Sequence, residues 1–290
     1  MGKARPGRAG RCDVSLLSGR THWLAFREVL GLLTRNRQLT WEMTRREIAD
    51  RYAGQILGTF WAVGHPLALM GIYVFVFARV FQVKIGGTAE LPLDYTTYLL
   101  AGLIPWMAFQ ESMNKGATVI LGNANLVKQV VFPIEVLPVK TVIASFGTQF
   151  VATGVLVAYV LARHGGLPWT YLLLPALMGF QALAMIGAAY VLASVSVYFR
   201  DLKDFVQVFC LGGMYVMPVF YLPDMAPAAF RPLLYLNPFS YMAWCYQDAC
   251  YFGRLEHPWA WPAFFAGSSA AFYFGYRVFR KLKVCFGSVL

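Results

Sequence analysis

Glu111 and Lys115 lie one helical turn apart in an otherwise apolar stretch, with the acid four residues before the base, the favourable order for a pair along a helix. Such a pair inside an oily segment either ties a bundle together or meets a substrate. The other residues with chemistry to offer are scattered. His22, His65, His164 and His257 fall in four separate regions, and Asp224, Asp248 and Glu256 are dispersed, arguing only weakly for a glycosyl- or acyltransferase site. Cys12, Cys210, Cys245, Cys250 and Cys285 make no CxxC and have no histidine at ligand spacing, so neither a disulfide framework nor a metal site is indicated. No GxxxxGK[ST], HExxH or GxSxG is present. The chain thus shows no means of hydrolysing a nucleotide or cutting a covalent bond, and any work it does must draw energy from a partner.

The elements that would position these residues are membrane helices. Over 290 residues, 58% hydrophobic content and 13% charge exceed what one soluble core can hide. The net charge of +11 reads as a topology signal and not as a nucleic-acid footprint, since no soluble scaffold carries it. A helix needs about 20 apolar residues to cross roughly 30 Å of hydrocarbon. Six stretches qualify, at about 57–81, 98–121, 139–162, 171–198, 205–221 and 259–279. The expected fold is therefore an all-α membrane protein of six spans. Between the fifth and sixth, Pro223, Pro227, Pro232 and Pro238 break the chain, and short re-entrant helices are expected there because irregular backbone survives in lipid only where protein or water satisfies it.

Of the 25 Lys and Arg residues, all but Arg79, Lys84, Arg163, Arg231 and Arg254 fall on one side when the N-terminus is placed inside. Both termini are accordingly expected in the cytoplasm. Residues 1–37 read as a basic cytoplasmic tail without the apolar core of a signal peptide. Residues 38–56 read as an interfacial amphipathic helix, with Trp41, Thr44, Ile48 and Tyr52 on one face and Glu42, Arg46 and Asp50 on the other. The remaining 57–290 would form the transmembrane domain.

Three segments resemble the ABC-2 type export permeases, in particular those that move O-antigen and related surface polysaccharides. They are REIADRYAGQILGTFWAVGHPL (46–67), GNANLVKQVVFPIEVLPVK (122–140), and YFRDLKD (198–204) with MPVFYLP and LNPFSYMAWCYQDACYFG beyond it. Glu111 and Ile134 depart from the residues usual in that family. The resemblance implies a homodimeric inner-membrane permease joined to two copies of an ATP-binding cassette subunit. ATP and Mg would bind at that partner, no cofactor would bind this chain, and the cargo would be a lipid-linked polysaccharide. Capsule, teichoic acid, lipid or drug export on the same fold is the alternative.

On that reading residues 123–136 form a cytoplasmic coupling segment. Asn123 and Asn125 are candidate helix caps, Leu126, Lys128, Phe132 and Glu135 are contact residues, and Pro133 ends the helix. Arg45, Arg46, Arg51 and Tyr52 are candidates to meet the carrier's phosphates or the surrounding membrane lipid. Aromatic rings can stack on the CH faces of sugars without trapping them, which makes Trp61, Tyr73, Phe77, Trp106, Phe109, Tyr215 and Tyr221 candidate pore residues.

Overall fold

A computed structural model describes residues 35–52, 58–80, 94–129 and 133–284, with isolated positions 31, 54 and 286. The chain divides into two units, Met1–Asn36 and Arg37–Leu290, and every element below belongs to the second. The expected tail falls almost wholly outside the described residues.

Among the described residues every regular element is helical. The N-terminal helix α1 covers Arg37–Tyr52, and α2 covers Trp61–Val74 before widening into a π turn over Phe75–Val80. Helix α3 (Tyr95–Gly116) is followed by two short pieces, α4 (Val119–Gly122) and α5 (Ala124–Gln129). Then come α6 (Val136–His164) and α7 (Leu174–Ser196), the latter led in by a 3-10 turn over Trp169–Leu173. The C-terminal part holds α8 (Leu202–Gly213), α9 (Arg231–Leu236), α10 (Pro238–Gln247) and α11 (Ala260–Lys283). Among the described residues, two stretches, Val136–His164 and Trp169–Ser196, are long and apolar enough along their length to cross a membrane, and Gly64–Phe77 is apolar but shorter.

Glycine at a helix end and glycine at a helix crossing both shape this bundle. Gly165 takes the left-handed conformation (φ 72°) and its N–H closes α6 on the Leu161 carbonyl at 3.0 Å. Pro168 then directs the chain into the next helix. Helices α7 and α11 share the most extensive contact in the molecule. A Cβ built on Gly187 would lie 2.3 Å from the Ala271 carbonyl oxygen, and one on Gly275 would lie 2.1 Å from the Gly187 carbonyl oxygen. Only hydrogen fits at either point, so the two backbones touch directly, the means by which membrane helices gain packing where lipid offers no hydrophobic drive.

The fifth apolar run departs from expectation. Instead of one helix over 205–221, α8 ends at Gly213, a 3-10 turn covers Met214–Val216, and Met217 is extended ahead of Pro218. Two adjacent glycines weaken the helix and Pro218 cannot continue it. The freed carbonyls are satisfied from neighbouring helices. Tyr98 donates to Pro218 O at 3.0 Å and Tyr221 O at 3.2 Å, Tyr95 to Phe220 O at 2.9 Å, Gln247 to Pro218 O at 2.7 Å, and Asn237 to Val216 O at 3.2 Å. This is the condition under which irregular backbone survives at membrane depth.

Asn237 also caps α10, its Oδ1 accepting from the Phe239 N–H at 3.0 Å with Pro238 in the first turn. Helix α10 is almost entirely buried against α3 and α11. The proline-rich stretch therefore enters the body of the protein at α10, while α9 ahead of it is exposed except at Leu234. Deep in the core Gln149 and Gln181 exchange amide hydrogen bonds at 2.8 and 3.0 Å, the Tyr246 hydroxyl also donates to Gln181, and Gln181 reaches Pro105 O at 3.0 Å. All three side chains are buried, and the network joins α6, α7, α3 and α10. In membranes such bonds contribute about 0.6 kcal/mol on average, so they fix register more than they add stability.

Candidate functional site

A concavity of about 970 Å³ lies between α2, α3, α6 and the 3-10 turn after α8. Its wall carries Trp61, His65 and Tyr73 from α2, Gln110, Glu111, Asn114 and Lys115 from α3, and Met214. One flank is thus aromatic and apolar, while the end toward the close of α3 is polar and charged.

Through Lys115 that charged end is linked to α1. Its docking face on α6 includes the buried Thr40 and Thr44 and the partly buried Glu47, whereas Trp41 is left 63% exposed. The Glu47 carboxylate is held by two ammoniums, Lys140 at 3.0 Å on Oε2 and Lys115 at 3.4 Å on Oε1. Lys115 also reaches Glu111 at 3.7 Å. The expected Glu111–Lys115 pair is present, but as one edge of a four-residue chain that staples α1 to the bundle. Burial raises the Glu47 carboxyl pKa, yet the bonds and charges of Lys140 and Lys115 outweigh it and hold the group below the ordinary value.

The aromatic candidates separate into two groups. Trp61 and Tyr73 line the cavity. Phe77 stacks on Phe220 with ring centroids 4.3 Å apart, and Tyr73 and Tyr215 approach the same ring at 5.8 and 5.4 Å. Tyr221 donates to Tyr215 O at 2.8 Å. Phe220 is thus the hub of this cluster, and nothing in its spacing marks it out. Trp106 and Phe109 instead lie in the core, each edge-on to Phe239 at 5.3 and 5.0 Å, and neither lines the cavity.

At the same end as α1 lie the described residues of 123–136, the stretch expected to couple to a partner. Asn123 caps in the opposite sense to that expected: its Nδ2 donates back to the Val119 carbonyl at 2.7 Å, finishing α4, while its main-chain carbonyl starts α5 by accepting from Val127 N at 3.1 Å. Asn125 and Lys128 are exposed and Leu126 is half-buried. Phe132 lies outside the described residues. Pro133 opens the turn into α6, and Glu135 is pinned by Lys283 at 2.6 Å, with Tyr190 donating to its carbonyl at 3.2 Å. The end of the segment is therefore tied to α11 and α7. Arg45 and Arg46 are exposed on α1, with Arg46 near Asp50 at 3.5 Å. Arg51 and Tyr52 close that helix, and their side chains lie outside the described residues.

The opposite end is held by two acids. Asp94, just ahead of α3, accepts from Tyr159 and from Thr97 at 2.7 Å and meets His164 at 3.3 Å, joining the start of α3 to the end of α6. Burial raises its carboxyl pKa, and the bonds from Tyr159, Thr97 and His164 bring it down below the usual value. Asp248 is fully buried and accepts from His257 N–H at 3.0 Å and Trp261 Nε1 at 3.0 Å, with His257 Nδ1 at 2.8 Å.

Residues 38–249 match the family described as ABC-2 type transporter. The chain belongs to that family. Among curated proteins it is similar to the O-antigen export system permease protein RfbA of Klebsiella pneumoniae, 29% identical over 251 residues that cover 86% of this chain and 93% of that protein. It is also similar to the protein of the same name from Myxococcus xanthus, 30% identical over 222 residues, covering 76% of this chain and 82% of that one. The ABC-2 match runs from the start of α1 through α10 and so takes in the cavity, the Glu47 staple and the coupling segment together.

Proposed function

We propose that this chain is the permease subunit of an ATP-driven exporter that carries a lipid-linked surface polysaccharide across the bacterial inner membrane. The observation that carries the reading is similarity to O-antigen export permeases along nearly their whole length. In this account the chain crosses the membrane six times with both termini inside. Helices α2, α3, α6, α7 and α11 supply five crossings, and α8 with the irregular stretch after it supplies the sixth, while α9 and α10 dip back among them. Two copies pair, and each engages one ATP-binding cassette subunit that holds ATP and Mg.

The residues of this chain then divide the labour. The exposed faces of Asn125 and Lys128, with Leu126 and Phe132, meet the nucleotide-burning partner, and the Glu135–Lys283 pair passes its motion to α11 and α7. Trp61 and Tyr73, with the ring cluster around Phe220, offer the glycan apolar faces on which its CH surfaces can slide. Arg45, Arg46, Arg51 and Tyr52 meet phosphate-bearing lipid at the inner leaflet.

Deleting the gene should strip the polysaccharide from the cell surface while the lipid-linked glycan accumulates inside, and restoring the chain should reverse both. Normal surface polysaccharide in the deletion strain would refute the reading.

A further inference from the structure

The Glu47 carboxylate has one oxygen on each of two ammoniums, and the three groups come from different elements: Glu47 from α1, Lys115 from α3 and Lys140 from α6. The lysines belong to the bundle. Glu47 belongs to a helix laid against it, so the carboxylate can leave with its element while both cations stay. The Lys140 side chain is only 7% exposed, and a charge at that depth needs an anion beside it at all times. Lys115 lines the cavity described above, and Lys140 stands behind it on the other oxygen of Glu47, so one cation of the pair faces the space proposed for the substrate. A phosphate group presents several oxygens at carboxylate-like spacing and carries more charge than one carboxylate, so it can bridge two ammoniums as Glu47 does.

We propose that Lys115 and Lys140 form an anion site at the α1 end of the cavity, that Glu47 is its resident stand-in, and that the diphosphate headgroup of an amphiphile displaces Glu47 and releases α1. This rests on the proposed export of a lipid-linked substrate and adds to it a binding site and a latch. Glu111, 3.7 Å from Lys115, tempers the positive charge, so the site holds the headgroup without trapping it.

The test uses the purified full chain in phosphatidylcholine nanodiscs, titrated with farnesyl diphosphate, farnesol and inorganic diphosphate. An internal competitor that leaves the site open about one-tenth of the time weakens apparent affinity about tenfold. E47Q should therefore bind farnesyl diphosphate about tenfold more tightly than wild type, and K140M should bind it more weakly. Adding farnesyl diphosphate to the wild-type protein should speed hydrogen exchange in residues 37–50. Farnesol should do neither.

A purely structural staple predicts the opposite sign: E47Q unchanged or weaker, and exchange in 37–50 unaffected. Either result overturns the proposal. Equal binding of inorganic diphosphate would make this a site for the free anion and overturn its assignment to a lipid headgroup. If E47Q does not fold, the wild-type exchange measurement decides alone. Failure here leaves the deletion phenotype untouched, whereas failure of the deletion phenotype would remove the substrate but not the binding result.

Discussion

Glu47 is joined to Lys115, 68 residues further along the chain, and to Lys140, a buried lysine of a third helix. No local spacing rule connects positions so far apart, which is why the Glu111–Lys115 pair is legible in the sequence while its continuation through Glu47 is not. The same holds for Phe220, one aromatic among many until the break at Pro218 brings it against Phe77, Tyr73 and Tyr215. Titration reports directly on the staple. The folded-state pKa of Glu47 lies below the ordinary 4.5, so its contribution is fully present above that value and is lost as pH falls through the lowered one. Hydrogen-exchange protection in residues 37–50, taken relative to the intrinsic exchange rate at each pH, should therefore be level between pH 7 and 5 and fall only in acid below about 4.5. Loss of protection beginning near neutrality would mean that another group governs the docking of α1.

Periodicity and apolar length locate most elements to within a few residues, because long oily runs bounded by glycine, proline and charge leave few alternatives. The run at 205–221 shows where that logic fails. Its hydropathy is that of a span, but Gly212, Gly213 and Pro218 set local backbone preferences that neighbouring side chains from α3 and α10 then stabilise. The amphipathic reading of α1 is likewise only part of the case. The docking face is polar, built on Thr40, Thr44 and Glu47, and Trp41 points away from it. The crossing of α7 and α11 gives the sharpest prediction at this scale. Gly275→Val puts carbon atoms into the Gly187 backbone, where nothing flexible can yield. Overpacking of a well-filled core costs about 1–3 kcal/mol, and a backbone-to-backbone clash should reach the upper end. A marked fall in thermal stability and in membrane yield is expected, whereas the same change at Gly179, which has open space beside it, should be close to neutral.

Among the described residues, the unit Arg37–Leu290 has two chemically distinct ends. One gathers the lysine–glutamate staple, the coupling segment and the basic end of α11, with Arg280, Lys281 and Lys283 in its last turn. The other is knitted by Asp94 and Asp248 with their tyrosine, histidine and tryptophan partners. Charge asymmetry in the sequence anticipates which residues share an end, because orientation in a bilayer is set by lysine and arginine wherever they fall between spans. What each end touches is the central claim: the coupling segment must face the compartment where nucleotide is hydrolysed. Single cysteines at the exposed Lys128 and Arg254, introduced after the five native cysteines are replaced by serine, test it with a membrane-impermeant maleimide on spheroplasts. The account predicts that Arg254→Cys is labelled in intact spheroplasts and Lys128→Cys only after permeabilisation. Labelling of Lys128→Cys from outside would contradict it.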